Sequence, residues 1–362
     1  MKIHSEGAAL LNMLKASLSA SPSAPETLPS PLNWTFLDRV SRRHRLGPLL
    51  HDGLQRSLFV GIPDWLVTNW EAQRREAVAF ALYHQEALEE LAAAFEGRGV
   101  PLVLLKGEAL SRSLYPQVGL RPYYHDIDLL IPHDSYETAK AILMGLGFRL
   151  RRPYEEAEKR RLFGEIEFDR EGMRRLTVDL HWDTLMASWE PHSLFREEET
   201  WAARDQIRLG DRALSVLGGE ILLLYLCVHF AFHHVFDGLI YLCDLFLLLR
   251  RDGDRTDWDR LLAMATRSGS RHVLYYSLFF AKLLMAAPVP SRVLDGLKPS
   301  APNRILLPGA RLLFRDVPVP QVLERYIKFL LIDSNQGRLR AVRTWFRSSK
   351  AILERRPSDR DA

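Results

Sequence analysis

The chain has 362 residues, 47% hydrophobic and 26% charged, the balance of a soluble globular protein long enough for two or three packed units. Lys and Arg number 49 against 45 Asp and Glu, a net charge of +4 that neither requires nor excludes a polyanionic partner. Only Cys227 and Cys243 are present, which excludes a disulfide framework or a thiolate zinc site and suits the cytoplasm.

Residues 8–14 are apolar, but Glu6 and Lys15 interrupt the run, so no signal peptide is expected. Four prolines between residues 21 and 31 predict a loop, and residues 34–99 read as helices, clearest over 74–97. From Pro101 the texture changes. Strands are predicted at 102–105, 126–131, 148–152, 165–168 and 175–182, with a helix opened by Gly107 and ending at Leu114. A second helix is predicted to start on an Asp134/Glu137 capping box and run to Gly145. Beyond Gly219 the pattern is helical to the end. Residues 221–249 are apolar enough to span a membrane, yet His229, His233, His234, Asp237 and Asp244 lie inside, which favours two buried helices and no membrane. The expected class is α+β: a small mixed-sheet domain (101–210) between an N-terminal helical segment (1–100) and a C-terminal helical bundle (211–362).

The chemistry concentrates in residues 104–131. In Asp126-Ile127-Asp128 two carboxylates alternate with an apolar residue, so on a strand both point to one side. Two acids that close repel unless divalent cations neutralise them, and oxygen-only ligands select magnesium or manganese over zinc. Alone, the pattern better fits a solvated surface strand, because the tripeptide is common; its context is what favours a metal site. Beside it, Lys106-Gly107 turns from a strand into a helix, where backbone N–H groups can face a phosphate chain. Lys106 and Arg121 bracket the acids with charge suited to a triphosphate, or else are ordinary surface cations.

This order of strand, glycine turn, helix and Asp-hydrophobic-Asp resembles the nucleotidyltransferase superfamily that includes DNA polymerase beta and the aminoglycoside nucleotidyltransferases. Leu105-Lys106-Gly107, Leu114-Tyr115-Pro116, Arg121 and residues 126–130 are more closely similar to the bacterial family of uncharacterised nucleotidyltransferases. The resemblance implies transfer of a nucleoside monophosphate from a triphosphate such as ATP to an acceptor hydroxyl, with release of pyrophosphate. It also implies Mg2+ or Mn2+ held by Asp126, Asp128 and a third carboxylate from a neighbouring strand. Asp179 offers that carboxylate, either as metal ligand or as base, and His181 shares its face. Lys106, Gly107, Arg121 and His181 are then expected around the nucleotide. Glu108 stands where the superfamily has serine or glycine, and is expected to point away from the phosphates.

His229, His233, Asp237 and Asp244 would form one stripe on a continuous helix, which Gly238 would break. The stripe reads as a hydrogen-bonded face, a wall of the cleft or a separate metal site, with His229 and Asp244 the candidates for the cleft. Residues 338–362 hold eight basic and three acidic side chains, a solvated face or an RNA contact; a small-molecule or protein acceptor is slightly preferred over RNA. The rival function is a catalytically silent nucleotide-binding or regulatory protein; a histidine-based metallohydrolase is a further alternative.

Overall fold

The computed structural model describes residues 4–19, 28–122, 126–172, 174–184, 194–301 and 303–354. Four helices come first: α1 (Ser5–Leu18), α2 (Trp34–Arg43), α3 (Gly47–Gln55) and the long α4 (Asp64–Glu96). The mixed segment follows as β1 (Val103–Leu104), α5 (Glu108–Leu114), β2 (Asp126–Leu130), α6 (Tyr136–Gly145), β3 (Arg149–Leu150), α7 (Glu156–Leu162), β4 (Glu165–Arg170) and β5 (Leu176–His181). A short helix α8 (Glu197–Ala202) then leads to a hairpin, β6 (Arg204–Leu209) and β7 (Arg212–Leu217). The remainder is helical: α9 (Gly219–Val228), α10 (Leu239–Asp252), α11 (Trp258–Arg267), α12 (Arg271–Met285), α13 (Ser291–Leu297), α14 (Asn303–Leu312), α15 (Gln321–Leu331) and α16 (Asn335–Glu354). The fold is α+β.

One sheet of seven strands, in the order β3-β4-β5-β2-β1-β7-β6, carries the mixed segment. At its centre β2 runs parallel to β5 and antiparallel to β1, while β1 runs parallel to β7. Alternation along the strands divides the apolar residues between two cores. Leu104, Ile127, Leu129, Val178, Leu180 and Val216 pack with Leu88 and Leu91 of α4 and Ile142 and Leu143 of α6. Val103, Leu105, Leu130 and Leu217 join the other core, with α9, α10 and α12. The acids of β2 and β5 belong to this second face.

Three local expectations are corrected. The Asp134/Glu137 capping box does not form, because a 3-10 turn, His133–Ser135, precedes α6 and leaves Asp134 in solvent. The sheet gains β6 and β7, so it runs on through Leu217. The histidine stripe does not exist as one helical face. Residues His229–His233 widen into a π-turn, Val235 and Phe236 adopt left-handed backbone (φ 44° and 64°), and α10 starts afresh at Leu239. Left-handed backbone at two consecutive non-glycine residues costs on the order of 1–3 kcal/mol each. Burial of Phe236 against Phe230 and Phe280, and the Arg43–Asp237 ion pair, hold it in place. Among the described residues no helix is long and apolar enough to cross a membrane.

Candidate active site

Register brings the acids together. Asp128 of β2 lies directly beside Asp179 of β5, and Asp126 precedes Asp128 by two residues on the same face. One carboxylate oxygen from each of Asp126, Asp128 and Asp179 comes within 4.8 Å of the others. The adjacent strand β1 delivers the cation: Leu105 N–H donates to Asp128 O at 3.1 Å, and the next residue, Lys106, places Nζ 2.5 Å from Asp128 Oδ1 and 3.5 Å from Asp126 Oδ2. Gly107 then turns the chain into α5 at φ 58° and ψ −108°, a conformation that a side chain would strain.

The fourth side of the cluster is His181. Its Nδ1 lies 3.1 Å from Glu165 Oε2, directly across the β4–β5 pair, and its Nε2 lies 3.5 Å from Asp128 Oδ1. Burial disfavours the imidazolium, but Glu165, Asp128 and Asp179 outweigh it and raise its pKa. Burial likewise opposes the ionised Asp128, and Lys106 and His181 overcome it, holding that acid down to about 2. Asp179 lacks such a partner, so burial and the Asp128 charge push it up to about 7. Of the two adjacent acids, the proton is thus held more readily on the Asp179 side. Oδ1 of Asp179 is buried without a hydrogen-bond partner among the described residues. Three converging carboxylates with such an oxygen among them fit a hard divalent cation.

A pH dependence follows. With Asp179 as a metal ligand, a divalent ion would displace its proton, and Mn2+ affinity should rise about tenfold per pH unit up to about 7 and level off above it. Calorimetry in two buffers of different ionisation enthalpy should find about one proton released at pH 6 and almost none at pH 8.5. A flat profile would remove Asp179 from the ligand set. The same raised pKa makes this group's contribution to metal-free stability fall as pH rises from 3.8 to about 7, since the folded chain holds the proton that the unfolded chain has lost.

Other expected residues are placed elsewhere. Arg121 and Asp244 are almost fully buried on each other, with Nε and Nη2 of the arginine donating to the two carboxylate oxygens at 2.8 Å each. The Tyr115 hydroxyl donates to the same carboxylate at 2.7 Å. This closed trio pins the segment leading into β2 to α10, and the fork of Arg121 is spent on Asp244 rather than open to a phosphate. Glu108 is buried on Arg112, whose other nitrogen reaches Gln85 of α4, which commits its carboxylate to that contact.

His229 sits at the π-turn with Nε2 3.1 Å from Nε2 of His234, and His234 stacks on Tyr241 (centroids 4.4 Å, 22° between planes). Burial, the neighbouring His233 and the field of Lys106 favour the neutral rings, with His234 adding to the effect on His229; His229 is lowered far below its usual pKa and His234 to about 3. Tyr225, stacked against His229, also feels Lys106 and Asp128. An aromatic, uncharged wall thus stands near the carboxylates. Glu165, Tyr115, Tyr225, His234 and Tyr241 escaped sequence reasoning. Of these only Tyr115 stood in a quoted motif; the others depend on register or on the turn after α9.

Residues 30–286 match the family described as uncharacterised nucleotidyltransferase. The chain belongs to this family. It is a transferase enzyme, and membership implies a nucleoside triphosphate as substrate. Nucleotidyltransferases generally use divalent metals, and the aspartate cluster could bind one. No curated protein and no solved structure matches the chain.

Proposed function

We propose that this nucleotidyltransferase moves a nucleoside monophosphate from a triphosphate to an acceptor hydroxyl and releases pyrophosphate, in the cytoplasm, where its two free buried thiols stay reduced. The observation that carries this reading is the three-carboxylate cluster on paired strands with Lys106 against it. Asp126, Asp128 and Asp179 would hold Mg2+ or Mn2+, which supplies charge neutralisation for the phosphates and acidifies the acceptor. Lys106 faces the same space and is the phosphate contact that Arg121, closed on Asp244, does not offer. The acceptor hydroxyl's proton would pass to a carboxylate of the cluster as the new O–P bond forms and the bond to pyrophosphate breaks. Tyr225, His229, His234 and Tyr241 form the surface against which the nucleoside would lie.

A small-molecule or protein acceptor is favoured over RNA. On α16, Arg338 and Arg340 are half-buried, and the Arg338 guanidinium lies over the Phe329 ring 5.6 Å from its centroid. Arg343 is exposed, while the side chains of Arg347 and Lys350 lie outside the described residues. Incubating the protein with each α-labelled triphosphate, Mg2+ and a cell extract should label a small-molecule or protein fraction. Label confined to RNA would overturn the acceptor class. Triphosphate binding with no labelled fraction would mark a silent binding protein instead.

A further inference from the structure

We propose that Lys106 is a resident counter-cation that a divalent ion must displace, so that metal and triphosphate bind this protein together and each only weakly alone. The inference rests on the metal and phosphate roles proposed above. Three carboxylates whose oxygens lie within 4.8 Å of one another demand positive charge, and Asp128, with a side chain 2% exposed, cannot draw it from water. Among the described residues the side chains at ion-pair distance from the three acids are Lys106 and His181. The ammonium, 2.5 Å from Asp128 Oδ1 and 3.5 Å from Asp126 Oδ2, lies between two of the three carboxylates that would hold a divalent ion. An ammonium and a divalent ion held against the same two carboxylates repel each other strongly, so the ion enters as the ammonium leaves.

Leaving is possible but needs a destination. Lys106 is the last residue before the Gly107 turn, and its four-carbon stem can swing where the guanidinium of Arg121, forked onto Asp244, cannot. A desolvated ammonium without an anion is unfavourable, and a triphosphate supplies the anion. The two ligands therefore help each other, and the help is reciprocal. The design also lets the metal-free site fold with its charge balanced.

Mn2+ binding followed by electron paramagnetic resonance at pH 8 tests this, on the full chain, with and without α,β-methylene-ATP. Lys106→Gln and Lys106→Met, each checked by circular dichroism, should bind Mn2+ alone about tenfold more tightly than the parent, and the analogue should enhance Mn2+ binding less in both. Equal or weaker Mn2+ affinity in the folded variants would overturn the proposal while leaving the metal site standing. Absence of Mn2+ binding from parent and variants, with or without the analogue, would overturn the metal site and this inference with it. Either variant suffices if the other fails to fold.

Discussion

Asp128→Asn is expected to lower nucleotide transfer by at least about 10²-fold while the fold persists. Asparagine keeps the shape of the side chain but removes the charge that meets both Lys106 and any divalent ion, at a position beside Asp179. Asp126→Asn should have a comparable effect on turnover with a smaller effect on stability, because Asp126 is 40% exposed whereas Asp128 is 2% exposed. Loss of turnover should track loss of Mn2+ binding, and circular dichroism should stay unchanged. Full activity in either variant would sink the assignment of these acids. Activity lost together with the secondary structure would leave Asp126→Asn as the deciding variant.

The second large effect is on stability. Arg121→Ala should destabilise the protein by about 3–5 kcal/mol, because Asp244 would be left charged and buried without its partner. The Tyr115 hydroxyl, which donates to the same carboxylate, would be the lone remaining contact of the trio. Replacing both partners, as Arg121→Met with Asp244→Leu, should recover most of that loss, since an apolar pair leaves no orphaned charge. Urea unfolding of Arg121→Met, Asp244→Leu and the double variant gives the coupling directly. If Arg121→Ala lowered triphosphate affinity but shifted stability by less than about 1 kcal/mol, Arg121 would be a phosphate ligand after all and the trio incidental.

The parts of the fold set by local pattern were legible. Alternation in residues 126–130 and 176–181 placed Asp126, Asp128, Asp179 and His181 on faces of strands, and the structure has both strands within a residue of the expected ends. What sequence could not supply was register. The five residues between β4 and β5 do not fix which residue faces His181, so Glu165 stayed invisible. The hairpin β6–β7 did leave a signal, since Ile207, Leu209, Leu214 and Val216 alternate on either side of Gly210-Asp211, but its outward positions are so polar that the segment reads as loop. In the sequence Arg121 reads as a phosphate contact and Asp244 as a cleft residue; they lie 123 positions apart, and only the packing of α10 shows that they neutralise one another. The histidines misled for a local reason, because a π-turn shifts every following side chain off the helical stripe.

The parallel pairing of β2 with β5 has a consequence for synthesis. Asp128 and Asp179 are neighbours in the sheet, yet the chain between them must first complete α6, β3, α7 and β4 before the second acid can arrive. An emerging chain that stops short of residue 179 carries only two of the three clustered carboxylates. The three-carboxylate cluster is thus a property of the closed sheet alone, and if it holds the metal as proposed, chelation should erase catalysis without erasing structure.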